Sequence, residues 1–275
     1  MTLNCNGQLI DLSLPKVMGI VNITPNSFYD GGKLTDAKSV LFQVEKMLTE
    51  GATFIDIGGY SSKANAEFVS ENEELERVIP VIKSIVKEFP KAVLSIDTFR
   101  SEVAKESVEN GVAIINDISA GSLDENMMPT VANLRVPYIM MHMKGTPQTM
   151  QTLTQYDDLV KEMLFYFSEK IALARSFGIS DLIADPGFGF AKTLDQNFEL
   201  LNKLELLKML ELPLLVGVSR KSMIYKTLVT DAEHALNGTT SLNTIALMKG
   251  AKIFRVHDVK EAVECVQLYQ KLMSK

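Results

Sequence analysis

Cysteine is scarce in this chain: two residues among 275, Cys5 near one end and Cys265 near the other. Small disulfide-stapled scaffolds are thereby excluded, and thiols this far apart in sequence have no metal-ligand spacing. They read as idle or buried thiols of a reducing compartment, with a single bridge as the alternative. Histidine is almost as rare. The three residues, His142, His234 and His257, lack HExxH or clustered spacing, which argues against protein-bound zinc. No apolar run approaches the ~18 residues of a membrane span. The N-terminus MTLNCNGQLIDLSL lacks the basic and apolar regions of a signal peptide, so a cytoplasmic location is expected. Positive charge is not in excess either: 28 Lys and Arg face 34 Asp and Glu, a net charge of −6. Nucleic-acid partners usually demand a basic face, so none is expected, and a phosphate-bearing ligand must be held by a few local groups. Low-complexity stretches and interdomain linkers are missing, and 46% hydrophobic residues are too many for a disordered chain.

Short apolar runs alternating with longer amphipathic ones fill the sequence. The runs at 17–22, 54–58, 92–97, 113–117, 138–142, 182–185, 214–218 and 253–257 are mostly continuous rather than alternating, as strands buried on both faces are. Helical patterns lie between and after them at 35–50, 71–89, 101–110, 126–134, 156–177, 193–210, 232–249 and 259–273. Strands about 22 to 44 residues apart, each followed by a helix, predict an α/β fold. Eight such units in a single domain over 1–275 point to a (β/α)8 TIM barrel. An open doubly wound sheet is the alternative that periodicity leaves standing. Before the first unit, Asn6-Gly7 predicts a short N-terminal β-hairpin.

The strands end in polar residues or glycine: Asn22, Gly58-Gly59, Asp97, Asn116-Asp117, His142, Asp185, Ser219-Arg220-Lys221, and Arg255 with His257. In a barrel these ends form one rim, where the active site is expected. Ionised Asp97 and Asp185 accept hydrogen bonds only, while Asn116 both accepts and donates. Together they suit a flat heterocycle presenting adjacent N–H and amino donors. Loop capping is the competing account, and for Asp97 in SIDTFRS it is a good one. In DPGFGFAK, glycines let backbone approach a ligand and Phe190 is available to stack; an ordinary Pro-Gly turn is the alternative. Lys221, Arg255 and His257 follow the last two strands, where barrel phosphate sites often lie. Arg grips phosphate with a bidentate fork, although a solvated ion pair is equally compatible with the residues. The polar loop from Asn22 to Gly32 suits closure over a phosphate tail, with a merely mobile loop as the alternative. P-loop and dinucleotide fingerprints are both incomplete, and no Ser-His-Asp set assembles. Met140, Met141 and Met143 read as core.

GIVNITPNSFYDGG, DIGGYSS, SIDTFR, INDISAG, DPGFGFAK, VGVSRKSM and RVHDV occur in this order. As an ordered set covering nearly the whole chain, they resemble the motifs of the dihydropteroate synthase family. The resemblance implies a pterin-binding barrel, usually a homodimer, that joins 6-hydroxymethyl-7,8-dihydropterin pyrophosphate to p-aminobenzoate, giving 7,8-dihydropteroate and pyrophosphate. Asp97, Asn116, Asp185 and Lys221 would surround the pterin. Asn22, Arg255 and His257 would hold pyrophosphate, with magnesium (Mg2+) reached by Asn22. Phe28, Ser62, Lys63, Phe190 and Ser222 would border p-aminobenzoate. The family's reaction is dissociative, with Asp97, Asp185, Lys221, Arg255 and His257 as the catalytic set. A pterin-binding methyltransferase module and a pterin binder without catalysis are the rival readings. Two loops depart from the common pattern. Asn26 and Tyr29 stand in loop one where Asp and Ser are usual. In loop two the usual GGESTRPGA is Gly58-Gly59-Tyr60-Ser61-Ser62-Lys63-Ala64-Asn65-Ala66, so Lys63 replaces Arg and Ala64-Asn65 replaces Pro-Gly.

Overall fold

The computed structural model of the protein describes residues 1–23, 34–60 and 69–274. A hairpin comes first, β1 (Thr2–Cys5) and β2 (Gln8–Asp11), turning through Asn6 and Gly7 at φ 51° and 85°. Positive φ at both turn positions matches the right-handed twist of the flanking strands, and Asn-Gly tolerates it best. Eight parallel strands follow: β3 (Lys16–Asn22), β4 (Phe54–Gly58), β5 (Val93–Asp97), β6 (Ile114–Asp117), β7 (Tyr138–Met141), β8 (Leu182–Asp185), β9 (Leu215–Val216) and β10 (Ile253–Val256). They lie in the order β8-β7-β6-β5-β4-β3-β10-β9. A bridge between Ala184 and Leu214 joins the two ends, with Ala184 N–H donating to the Pro213 carbonyl (3.0 Å). The sheet closes, and the doubly wound alternative falls.

Around it stand α1 (Leu34–Thr49), α2 (Glu71–Glu88), α3 (Ser101–Glu109), α4 (Met127–Leu134), α5 (Leu159–Ser176), α6 (Leu194–Asn202), α7 (Ser222–Thr227), α8 (Leu236–Met248) and α9 (Val259–Met273). Their starts follow local chemistry. Ser70 caps α2 by accepting from Glu73 N–H, and Asp158 caps α5, which therefore begins after the predicted 156. Thr193 and Gln196 form a reciprocal capping box on α6. The pattern over 193–210 resolves into α6 and a 3₁₀ helix at Leu204–Leu210. Leucines recur there every third residue from Leu201 to Leu210, the spacing at which 3₁₀ side chains eclipse. The six-residue α7 was not predicted, because it is too short for a helical period to register.

Alternation along the strands separates two cores. Outward residues such as Val17, Ile55, Leu94, Ile115, Met140, Ala184, Val216 and Phe254 are buried beneath the helices. Inward, each strand contributes one apolar residue to a lower layer: Met18, Phe54, Val93, Ile114, Ile139, Ile183, Leu215 and Ile253. Leu3, Cys5, Ile10 and Leu12 of the hairpin pack onto this layer and close the barrel's base. Asn4 N–H donates to Asp181 Oδ2 (2.8 Å) and Asn6 Nδ2 to the Val112 carbonyl (3.1 Å), fastening the hairpin to loops under the barrel. No helix among the described residues is long and apolar enough to cross a membrane.

Candidate active site

Two residues beyond each lower-layer position the inward side chain changes character. The sequence at those positions reads Ile20, Asp56, Ser95, Asn116, Met141, Asp185, Gly217 and Arg255, and two further on come Asn22, Gly58, Asp97, Ser219 and His257. Strand geometry keeps i, i+2 and i+4 on one face, so the polar ends converge on one mouth. Register tightens this: Gly58 pairs with Asn22 on one side and Asp97 on the other, and Asp97 pairs with Asn116. A Cβ on Gly58 would stand 3.8 Å from both Asn22 Oδ1 and Asp97 Oδ2. Asn22 and Asp97 therefore flank Gly58 at van der Waals range.

Arg255 occupies the centre. Its Nε donates to Asp56 Oδ2 (2.6 Å) and its Nη2 to Asp97 Oδ2 (2.6 Å), so one guanidinium bridges carboxylates from two neighbouring strands. Asn116 Nδ2 donates to the same Asp56 oxygen (3.1 Å). A carboxylate only accepts, which fixes the Asn116 amide with nitrogen toward Asp56. Asp56 was not among the sequence candidates. Its signal was present: in FIDIG it sits midway between inward Phe54 and Gly58, a charged residue inside a buried run.

Burial drives the electrostatics here. It pushes the Asp97 carboxyl up to about 7, against the pull of Arg255, with Asp56 adding to the rise. Asp185 is raised for the same reason while Lys221 and the Gly187 N–H hold it down; that N–H donates to Asp185 Oδ1 (2.8 Å). Burial lowers Lys221 to about 8 despite the attraction of Asp185, and the charge of Arg255 lowers it further. Burial also works against the charge of Arg255, but Asp56 and Asp97 outweigh it and hold the guanidinium above its ordinary value. Such displaced titrations inside a concave mouth mark functional carboxylates and lysines.

The loop between β8 and α6 forms one wall. Lys221 Nζ donates to the Phe188 carbonyl and lies 5.0 Å from the Phe190 ring centroid. Phe190 packs with Ile118, Met141, Met143, Met150 and Ala191. Met140 points outward into the main core, whereas Met141 and Met143 support the mouth. After β9, the two basic residues of the turn divide their labour. Arg220 forks onto Asp258 through Nε and Nη2 (2.8 Å each) and donates to the carbonyls of Ala232 and Glu233, a structural clasp. Lys221 turns inward instead. Ser222 begins α7 beside it. His257 is exposed at the rim, its Nδ1 3.0 Å from Ser219 Oγ. Phe28, Ser62 and Lys63 lie outside the described residues. After β4, Arg77 Nη1 donates to the Gly59 carbonyl (3.1 Å), and Arg100 pairs with Glu74 and donates to the Val69 carbonyl.

Among the described residues no group of three or more His, Cys, Asp or Glu is placed to hold a metal ion. The rim does offer the Asn22 side-chain amide, which is exposed.

Residues 18–257 match the pterin binding enzyme family. The chain is 44% identical over 276 residues to dihydropteroate synthase of Escherichia coli K12, covering 100% of this chain and 97% of that protein. It superposes on Yersinia pestis dihydropteroate synthase, solved with a sulfonamide drug complex, at a TM-score of 0.93 with 42% identity and full coverage of both chains. Dihydropteroate synthase from Xanthomonas albilineans, solved in complex with 7,8-dihydropteroate, is 37% identical at a TM-score of 0.89, again with 100% of each chain covered. A barrel with this mouth, matched end to end by such relatives, belongs to the dihydropteroate synthase family of pterin-binding enzymes.

Proposed function

We propose that the protein is a transferase of folate biosynthesis, condensing 6-hydroxymethyl-7,8-dihydropterin pyrophosphate with p-aminobenzoate to 7,8-dihydropteroate and pyrophosphate. One observation carries this most strongly: Asp97, Asn116 and Asp185 converge from three strands on a mouth that also holds Lys221 and Arg255. Acceptor-only carboxylates beside an oriented amide suit the donor edge of a pterin, a flat ring whose amino group and ring N–H must be paired when buried.

The chemistry follows from charge. Cleavage of the C–O bond to pyrophosphate leaves a ring-stabilised cation, which the arylamine nitrogen attacks; its proton then leaves and no covalent enzyme intermediate forms. Asp97 and Asp185, held in a low-dielectric mouth, stabilise positive charge as it spreads into the ring. Two of the five Arg255 N–H donors serve Asp56 and Asp97. The remaining donors, with His257 backed by Ser219, face the leaving group's developing charge. Asn22 would hold the magnesium ion that accompanies the pyrophosphate. A single hard amide oxygen fits Mg2+, which takes waters and phosphate oxygens rather than an all-protein cage. When bound it supplies charge neutralisation at the leaving group. Phe190 and Ser222 would border the p-aminobenzoate site, as the family resemblance also implies for Phe28, Ser62 and Lys63, and sulfonamides, as mimics of p-aminobenzoate, would share it.

A homodimer and a cytoplasmic location complete the reading. Leu206, Met209, Ile245 and Met248 are exposed on the 3₁₀ helix and α8, beside a groove of about 410 Å³ lined by Glu205, Thr244, Ile245, Met248 and Lys249. An apolar face of this kind suits a second copy, and light scattering at twice the 30.5 kDa chain mass is the expected result. Free Cys5 and Cys265 suit a reducing compartment. The direct test incubates purified protein with the pterin pyrophosphate, p-aminobenzoate and magnesium and follows dihydropteroate by mass. Product above a no-enzyme control is expected; folded protein with none overturns the reading.

A further inference from the structure

Two lysines bond carbonyls of the β8–α6 loop, Lys221 from the turn after β9 and Lys192 from within the loop itself, and ring binding accounts for only Lys221. The other, Lys192, is 5% exposed and its Nζ donates to the carbonyls of Gly187 (3.0 Å) and Phe190 (3.0 Å). Its third contact is Nδ1 of His142 (3.1 Å), itself 2% exposed. In its ammonium form the lysine has three donors and no acceptor, so these partners use it fully and His142 Nδ1 is then the acceptor. Its three hydrogen-bond partners are all uncharged, and the carboxylate that acts on it, Asp185, does so without a direct contact. Burial lowers Lys192 to about 7 against the attraction of Asp185, with Lys221 and Lys144 lowering it further, and burial holds His142 well below its ordinary value. Methionine or leucine would fill this space without that cost.

The loop's path explains the lysine. Gly187, Gly189 and Ala191 take φ of +68°, +83° and +48°. A Cβ on Gly187 would lie 2.2 Å from the His142 carbonyl oxygen, so the loop rests directly on the end of β7. This winding turns the carbonyls of Gly187 and Phe190 toward the protein, where a triple donor satisfies them together with His142.

We infer that Lys192 is a positioning residue for the arylamine half of the site. Its ammonium ties Gly187 and Phe190 to His142 and so fixes where the Phe190 ring stands. Asp97 and Asn116 sit on strands and do not depend on it, while Asp185 feels it only through Gly187 and through charge, so the pterin half should respond less than the arylamine half. The inference rests on the functional reading above, in which Phe190 borders p-aminobenzoate.

Lys192→Met keeps the length and removes the donors. Its KM for p-aminobenzoate should rise by at least ~tenfold, the scale of one well-made contact, while KM for the pterin pyrophosphate stays within about threefold. Calorimetric affinity for 6-hydroxymethylpterin, which needs a folded mouth, should hold equally. Lys192→Gln, which retains two N–H donors, should fall between wild type and Lys192→Met. In a Phe190→Ala background Lys192→Met should add less than about twofold, since the wall it places is gone. Unchanged constants, equal rises in both constants, or an undiminished effect in Phe190→Ala would overturn the inference. If Lys192→Met does not fold, Lys192→Gln is held to the same criteria. Phe190→Ala that leaves the p-aminobenzoate constant unmoved overturns it too, with wild-type turnover leaving the reaction itself intact. Wild-type protein that makes no dihydropteroate overturns the functional reading and this inference together.

Discussion

The base and the mouth of the barrel are built by the same eight strands, two residues apart, and they do opposite things with the same geometry. At the base, inward Met18, Phe54, Ile139 and Ile253 meet the apolar face of the hairpin, and burial there is favourable without any partner. At the mouth, inward Asp56, Asp97, Asn116, Asp185 and Arg255 are buried or half-buried, and the four charged groups among them need polar partners there. Asp56 Oδ1 and Ser95 Oγ are buried without a hydrogen-bond partner among the described residues. Stability is therefore concentrated below and ligand chemistry above. The hairpin lets the base be as apolar as a globular core, which allows the mouth to stay polar.

The sharpest way to break this division is to cut into the base. Phe54→Ala removes a fully buried ring and should cost about 3–5 kcal/mol, enough to lower the melting midpoint by roughly 10 °C. Pterin affinity should stay within about twofold of wild type, checked by scanning and titration calorimetry on one preparation. A base mutation that abolishes pterin binding in folded protein would show that the two layers are not separable.

Cutting into the mouth should give the mirror result. Asp185→Ala leaves ligand donors unpaired, a loss of roughly 1–3 kcal/mol or more, so pterin affinity should fall at least tenfold. Burial disfavours the Asp185 charge, so its removal should leave the melting midpoint unchanged or slightly raised. Unaltered titration of 6-hydroxymethylpterin would make Asp185 a turn residue, bonded only to Gly187.

The mouth also predicts a pH dependence with a definite sign. Asp97 is raised to about 7, so it gains its charge only as pH climbs through that value. Pterin affinity that depends on ionised Asp97 should fall by up to about tenfold per unit as pH drops below 7. The folded state, by contrast, prefers the protonated acid: its contribution to stability is present below the ordinary value of 3.8 and lost as pH rises through about 7. Asp97→Asn should flatten the affinity profile and show its largest relative gain in stability at pH 8. A wild-type profile that Asn at this position leaves unchanged would assign the titration elsewhere.

The smallest effect concerns loop two. Restoring Arg-Pro at Lys63 and Ala64 returns a planar fork and a fixed φ, about 0.4–1 kcal/mol of ordering. KM for p-aminobenzoate should fall about two- to fivefold, with the pterin constant as the unmoved control. Equal shifts in both would remove Lys63 from the arylamine border.

How legible all this was depends on what periodicity records. Continuous apolar runs and polar strand ends were enough for eight β–α units and for placing Asp97, Asn116, Asp185, Lys221 and Arg255 at the strands' C-terminal ends, because a parallel sheet gathers those ends whatever its helices do. Asp56 escaped because it stands mid-strand, and only the pairing of Asp56 with Ser95 and Ile20 shows which way it faces. Lys192 escaped for another reason: a lysine after a loop reads as solvated surface until the fold buries it against His142. The bridging of two carboxylates by Arg255 was equally hidden, since β4, β5 and β10 are far apart in sequence. Closure of the sheet was beyond periodicity as well, resting on contacts between β8 and the start of β9.

The central claim is that this mouth transfers a pterin from pyrophosphate to an arylamine, and pyrophosphate release measured with and without p-aminobenzoate tests it most directly. With magnesium and the pterin pyrophosphate present, release should depend on p-aminobenzoate, track dihydropteroate one for one, and fall with Asp185→Ala. Release that ignores p-aminobenzoate, or none from folded protein that still binds pterin, would contradict the account.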